Sequence, residues 1–322
     1  MKKCVVIYNP HSGKKTKKDF QNEFIKILEE NDYQSEVIYS KYRGHIVEIV
    51  SSLDDDVDLV ISLGGDGTFN ESMRGNFKRK KRLVLAHIPL GTTNDVGKMF
   101  GYGKNVINNL RLLMDGVVEN VDICTINNEA FVYVAGFGKF MNIPYETSRN
   151  SKKKLGYLAY IVNGFKDFLR FTRLHDITYV IDGEEYEGLY SFMFVSNATR
   201  VAGVNNVFKD VKLDDGKFEV LLCNIKKRKD ILKTLYYLRK NDISHVPGFY
   251  FHKTDNLKIR VNDERKLAWC IDGEKLEIDS EEVEIKIDKN AKIMIPKTNI
   301  DKLFIKKSTY QFATETQRYV EI

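Results

Sequence analysis

Three glycines within four positions, Gly64, Gly65 and Gly67, surround a single acid, Asp66. The apolar run before them, Val57 to Leu63, has the length and β-branched content of a strand buried on both faces. Thr68 and Asn70 follow, either of them able to cap the next helix. A strand, a glycine turn and a helix start form a cradle for phosphate, because backbone N–H groups point outward and no Cβ blocks close approach. An ordinary strand-to-helix turn rarely needs Gly-Gly-x-Gly. A second glycine-bearing loop, Pro89–Leu90–Gly91–Thr92–Thr93–Asn94–Asp95, ends the next apolar run, and a third, Asn9–Pro10–His11–Ser12–Gly13, ends the first.

The elements that must position these loops come in a regular order. Lys3–Tyr8 reads as a strand, and a helix follows from a cap at Thr16 to Glu30, with Phe20, Phe24, Ile27 and Leu28 on one face. Glu36–Tyr39 is a second strand, His45–Leu53 a second helix and Val57–Leu63 the third strand. A helix then runs to about Phe77, and Leu83–Ile88 is a fourth strand, with His87 as a core residue. This alternation predicts an α/β domain with a parallel sheet and helices on both faces. In such sheets ligands sit at the carboxyl ends of the strands, the edge on which all three loops emerge.

From about Val121 the pattern changes. Strand-like runs at Phe131–Phe137, Asp176–Ile181, Tyr186–Ser196, Lys217–Cys223, Asn256–Val261, Leu267–Ile271 and Val283–Ile287 are joined by Asp-Gly turns. Helical segments at Leu155–Phe171 and Lys229–Arg239 interrupt them. The expectation is a nucleotide-binding α/β domain over residues 1–120 and a mainly antiparallel, β-sandwich-like substrate domain over 121–290. A strand at Ala291–Pro296 would return residues 291–322 to the first domain, with Leu303–Ile305 as a short helix.

The totals narrow the class. A chain of 322 residues with 43% hydrophobic and 30% charged content is long enough for two domains with real cores. Cys4, Cys124, Cys223 and Cys270 are far apart, form no metal-ligand pair and read as small buried hydrophobes of a reducing compartment. No apolar stretch approaches the length of a bilayer span, and Val5–Tyr8 is too short for a secretory signal, so a cytoplasmic location is expected. The net charge of +6 gathers at Lys14–Lys18, Lys78–Arg82, Lys152–Lys154, Lys226–Lys229 and Lys306–Lys307. Solvated faces are the plain reading of such runs. No recognition motif with interleaved aromatics accompanies them, so nucleic acid is not an expected partner. An anionic membrane surface is, at about 1 kcal/mol per well-placed cation.

Two common nucleotide motifs are absent. Gly13–Lys14–Lys15–Thr16 lacks the upstream glycine and the spacing of a P-loop, and G-x-G-x-x-G fails at Gly65 and at Gly101, where Asn70 and Val106 stand in the last position. The loops resemble instead the diacylglycerol kinase catalytic domain, and within it the bacterial soluble lipid kinases. Gly64–Gly65–Asp66–Gly67–Thr68 with Asn70–Glu71 behind it, and Pro89–Leu90–Gly91–Thr92–Thr93–Asn94–Asp95 one strand later, carry the likeness. Asn9–Pro10–x–Ser12–Gly13 is similar to that family's first nucleotide loop. Leu213–Asp214–Asp215–Gly216–Lys217–Phe218 and Asp272–Gly273–Glu274 are similar to its two later motifs. The first glycine loop alone is shared with NAD kinases and sphingosine kinases; the Thr92–Asp95 loop speaks against NAD kinases.

That resemblance implies an ATP- and Mg²⁺-dependent kinase of diacylglycerol or a related lipid alcohol. It implies ATP contacts at Asn9, Pro10, His11, Ser12, Gly13, Ser40, Gly64, Gly65, Asp66, Gly67, Thr68, Phe69, Asn70 and Thr92, with Asn94 and Asp95 close by. Asp66, a carboxylate beside polyphosphate, makes sense if it holds Mg²⁺ or acts as the base; its plainer role is to cap the following helix. The resemblance makes Glu274 the proton acceptor, with Asp272 beside it. Ile-Asp-Gly-Glu occurs twice, at Ile181–Glu184 and Ile271–Glu274, and only the second follows the Asp-Asp-Gly motif. A structural Mg²⁺ is implied at the Asp215 carboxylate and the carbonyls of Lys212 and Lys217, with Asp210 assisting through water. The aromatic helix around Tyr157, Tyr160, Phe165, Phe168 and Phe171 is a core element or the wall of an acyl groove, near a membrane that the enzyme visits transiently. A homodimer stays open, as do another acceptor (a sphingoid base, another lipid or NAD) and a non-catalytic nucleotide- or lipid-binding regulator.

Overall fold

Short β-branched runs build the first sheet, and their parallel register decides where the loops end. In the computed structural model, which describes residues 1–12, 20–132, 134–138, 174–201, 204–205, 208, 210–224, 248–263 and 267–305, the first half alternates strand and helix. Strand β1 is Lys2–Tyr8, helix α1 Phe20–Glu30, β2 Tyr33–Tyr39 and α2 His45–Ser52. Then come β3 Leu59–Gly64, α3 Asp66–Phe77, β4 Leu85–Pro89, α4 Asp95–Met99 and α5 Val106–Met114. Tyr8 stands opposite both Tyr39 and Leu63, and Gly64 opposite Pro89, so the segments after β1, β2, β3 and β4 leave the sheet on one edge. The glycine turn is tighter than expected: Asp66 is the first residue of α3 and Gly65 its N-cap, with no side-chain cap from Thr68 or Asn70.

The second half is mainly antiparallel. Its strands are β5 Val117–Ile126, β6 Glu129–Phe131, β7 Val134–Gly138, β8 His175–Ile181, β9 Glu184–Tyr190, β10 Phe192–Ser196, β11 Arg200–Val201 and β12 Val204–Asn205. They continue as β13 Phe218–Cys223, β14 Phe249–Thr254, β15 Asn256–Val261, β16 Ala268–Ile271, β17 Glu274–Glu277 and β18 Glu282–Ile295, before the short helix α6 at Ile300–Leu303. Two runs read as single strands are divided in the structure, Phe131–Phe137 at Val132 and Tyr186–Ser196 at Ser191. Conversely, Val283–Ile287 and Ala291–Pro296 belong to one strand, β18. The expected helices at residues 155–171 and 229–239, the basic runs at 14–18, 152–154, 226–229 and 306–307, and Gly13 lie outside the described residues.

One ten-stranded sheet runs in the order β2-β1-β3-β4-β18-β15-β8-β9, with β5 and β6 branching from β18, and a six-stranded sheet runs β14-β13-β10-β7-β16-β17. β18 joins the two halves: its last residues lie parallel to β4, with Ile293 opposite Leu85, while Glu282–Lys286 pair antiparallel with β15. A register shift between Asp288 and Ala291 separates the two segments. One core fills the α/β half, around Ile7, Leu28, Ile61, Phe69, Met73 and Leu85. A second, around Phe131, Phe137, Tyr179, Met193, Phe218 and Trp269, draws on both sheets. All four cysteines are free and buried, and burial pushes the Cys4 thiol up to about 12.

His87 belongs to this core. Its Nδ1 donates to the Ser62 carbonyl at 3.2 Å, its ring packs on Phe69 with centroids 5.1 Å apart, and Nε2 has no partner. A carbonyl only accepts, so the proton sits on Nδ1 and the ring is neutral. Burial brings the His87 pKa down to about 4. The unfolded chain therefore takes up a proton first, and stability falls as pH drops from about 6.5 toward 4. His87→Gln is expected to remove this dependence: between pH 7 and pH 4.5 the unaltered chain should lose about 2 kcal/mol more stability to urea than the variant does.

Candidate active site

The three loops expected at one rim do meet, through backbone. Asn9 donates its amide to Leu63 O at 3.0 Å and its side-chain Nδ2 to Thr68 Oγ1 at 3.0 Å. Gly65 donates its amide to Ser12 Oγ at 3.2 Å, and Ser40 donates its own to Tyr8 O. The second loop lies against the first: Leu90 N donates to Gly64 O, and a Cβ on Gly91 would stand 2.8 Å from the Gly65 Cα. A Cβ on Gly64 would fall 2.3 Å from Thr68 Oγ1, so glycine is required there by packing. Gly67 differs. A Cβ added to it meets nothing within 4 Å, and it opens the first turn of the twelve-residue helix α3 toward solvent. That is the open, donor-rich end of a helix on which phosphate oxygens fit.

Asp66 ties the two loops together. Its two carboxylate oxygens accept the amides of Asp95, at 3.0 Å, and Val96, at 3.1 Å, so it caps α4 across the rim and not its own helix. Burial first, and the Asp95 carboxyl second, push the Asp66 carboxyl up to about 7 against those two amides, with a smaller push from Asp272. Asn94, in the left-handed region at φ 51°, donates Nδ2 to Gly91 O at 2.9 Å, while its buried Oδ1 has no partner.

The two Ile-Asp-Gly-Glu copies share a local geometry and differ in surroundings. Both are tight hairpins with positive φ at Asp and Gly, at Asp182–Gly183 between β8 and β9 and at Asp272–Gly273 between β16 and β17. Glu184 accepts the Tyr186 hydroxyl at 2.6 Å, within its own hairpin. The second copy faces the α/β half. Asp272 accepts the amides of Val132, at 2.7 Å, and Val134, at 3.0 Å, which pins its hairpin to β7. Glu274, half-buried, meets Arg43 Nη2 at 2.9 Å, and Arg43 comes from the segment after β2. Beside it Glu71, on α3, accepts the Gly44 amide at 3.1 Å. Burial and, behind it, the nearby Glu274 charge push the Glu71 carboxyl up, opposed by the Gly44 amide. Arg43 had no motif to mark it, and Glu71 stood in the glycine-loop motif without a role.

Other expected residues are placed as follows. Pro10, His11 and Thr92 are exposed on the rim, whereas Ser40, Thr68 and Asn70 are buried behind it. The Phe69 ring is fully buried against His87, so its side chain serves the core and not a ligand. At the implied structural Mg²⁺ site, the Asp215 carboxylate has protein partners on both oxygens. Asp215 accepts the Lys217 amide on one oxygen, at 3.0 Å, and holds Lys253 Nζ on the other, at 2.6 Å; the same ammonium lies 3.3 Å from Glu219. Lys212 turns its Nζ to the carbonyl of Lys302 at 2.9 Å. Lys253 thus places a positive charge beside the Asp215 carboxylate.

With that geometry described, comparison with known proteins is direct. Residues 3–126 match the model of the diacylglycerol kinase catalytic domain. A diacylglycerol kinase of Staphylococcus aureus (strain JH9) is 28% identical over 275 residues, covering 85% of this chain and 86% of that protein, and the protein of strain Newman gives the same figures. The crystal structure of a putative diacylglycerol kinase from Bacillus anthracis str. Sterne superposes with a TM-score of 0.79 at 22% identity, covering 93% of this chain and 96% of that one. A second diacylglycerol kinase structure from the same organism gives 0.72 at 19% identity, covering 93% and 98%. Likeness at that identity carries the fold. Residues 3–126, which hold both glycine loops and the Asp66 bridge between them, match the diacylglycerol kinase catalytic domain, and together with the diacylglycerol kinase relatives this match supports a phosphotransferase with an alcohol acceptor.

Proposed function

We propose that the chain transfers the γ-phosphate of ATP to the hydroxyl of diacylglycerol or a closely related lipid alcohol. The observation that carries this reading is the second Asp-Gly-Glu hairpin: it brings Glu274 within 2.9 Å of Arg43 on the α/β side and close to Glu71 of α3. Phosphoryl transfer needs in-line positioning, neutralised charge and an acceptor for the alcohol proton. The donor-rich end of α3 at Gly67 would receive the phosphates. Glu274 would take the proton as the lipid oxygen bonds to phosphorus and ADP leaves. Mg²⁺ would arrive with ATP and neutralise its phosphate oxygens, and Asp66, with a second lone pair on each oxygen, stands where the two loops meet.

Asp66 and Asp272 spend their carboxylates on backbone amides, which favours Glu274 as the base and the two aspartates as groups that hold the site in shape. The name of the relatives supports a lipid acceptor. So do Tyr250 and Phe251, exposed on the edge strand β14 with Phe249 stacked beside Phe251. Such side chains suit brief contact with a bilayer surface. No helix among the described residues is long and apolar enough to cross a membrane.

Labelled ATP with Mg²⁺ and diacylglycerol in mixed micelles tests the activity; transfer to NAD alone, or no transfer to any lipid alcohol, would end this reading. Glu274→Gln is expected to lower kcat by about 10²–10⁴-fold with little change in KM for ATP, whereas Glu184→Gln leaves kcat near that of the unaltered chain. The glycines separate packing from binding. Gly64→Ala should destabilise the fold by about 2–3 kcal/mol in urea unfolding. Gly67→Ala should leave stability equal or up to about 1 kcal/mol higher, yet weaken ATP binding by about tenfold or more in calorimetry.

A further inference from the structure

The backbone around Arg43 is tied to its own half of the molecule. Lys41 donates its amide to His45 Nδ1 at 3.1 Å, and the Tyr42 ring stacks on the His45 ring with centroids 4.7 Å apart. The Tyr42 hydroxyl donates to Glu48 Oε2 at 2.6 Å, and the Gly44 amide to Glu71 on α3 at 3.1 Å. Gly44 stands at φ 87°, a left-handed conformation that glycine takes at no steric cost. It is the N-cap of α2 and has no side chain to offer, so Glu71 supplies an acceptor from α3. All of these contacts stay within the α/β half. The Arg43 side chain, largely exposed, reaches out of that network to Glu274.

The other end of the ion pair is fixed through its backbone. Asp272 holds the Val132 and Val134 amides, and positive φ at Asp272 and Gly273 closes the turn just before Glu274. What the backbone leaves free is the Glu274 side chain, and among the described residues Arg43 is its one ion-pair partner. We propose that Arg43 is a positioning residue for phosphoryl transfer: from a loop set by Glu71 and His45, its guanidinium holds the Glu274 carboxylate in one orientation toward the α/β half. This role rests on the reading of Glu274 as the proton acceptor, and supplies what orients it. A reacting group misplaced by about 1 Å can cost about a hundredfold in rate, so a partner that restricts its side-chain torsions acts on kcat.

Steady-state transfer from ATP to diacylglycerol in mixed micelles tests it. Arg43→Ala should lower kcat by about ten- to a hundredfold while KM for ATP stays as it was. Arg43→Lys, which keeps the charge but loses the planar fork, should recover part of the loss. Free guanidinium ion, well below unfolding concentrations, should raise the activity of Arg43→Ala severalfold, a rescue that a merely structural role would not show. In a Glu274→Gln background, Arg43→Ala should cost nothing further. Arg111→Ala, which removes another exposed ion pair, that with Glu23 at 3.0 Å, should leave kcat unchanged. Unchanged kcat in Arg43→Ala, losses that add to those of Glu274→Gln, or a raised KM for ATP at constant kcat would each overturn the proposal. Absence of transfer by the unaltered chain counts instead against the kinase reading, and hydrogen exchange then decides the positioning role. Arg43→Ala should speed exchange at the amides of Gly273, Glu274 and Lys275 and leave α2 as it was; equal exchange at the hairpin overturns it.

Discussion

Two loops that touch through bare backbone set the geometry of this protein. Gly65 and Gly91 approach so closely that a methyl group on Gly91 would meet the opposing Cα at 2.8 Å, and Asp66 spans the seam by taking two amides from the far side. Close packing of this kind leaves little room to relax, because interiors respond to even one added methylene. The consequence is a rim whose donors are fixed before any ligand arrives. Preorganised donors of this sort stabilise developing charge without reorganising at the moment of reaction.

The acids of the rim show how one residue type is put to different uses by its surroundings. Asp66 and Asp272 each capture two backbone amides, and each holds a turn or helix start in place. Glu274 is held by a side chain, Arg43, which can let go at far lower cost than a pair of amides. Asp215 is neutralised by Lys253. Charge alone would rank all four alike; the partner decides which carboxylate is anchored to backbone and which is held by a side chain.

The alternation of strand and helix up to Ile88 was legible because each strand is a short β-branched run bounded by turn residues, and the parallel register then dictates one common edge. The close approach of the two loops was legible in Gly64, Gly65 and Gly91. The side-chain assignments were less so. Asp66 reads as the cap of its own helix but caps α4, and Phe69 and Asn70 belong to a motif yet turn inward, because spacing within a motif does not reveal which face of α3 meets the sheet. Arg43 was silent, since a lone arginine in a polar segment carries no period and no motif. Lys253 was missed for the opposite reason: its distance in the chain from Asp215 hides a contact that the pairing of β13 with β14 brings about.

The shared strand β18 has a consequence for how the chain reaches its native state. Its last residues form the neighbour that β4 needs, yet they are made about two hundred residues after β4, as Ile293 opposite Leu85 requires. Until then a nascent chain carries all of residues 3–126 with one side of β4 unsatisfied and available to the wrong partner. A fragment cut at the border of the matched segment, residues 3–126, would therefore carry an open seam where the whole chain has a closed one.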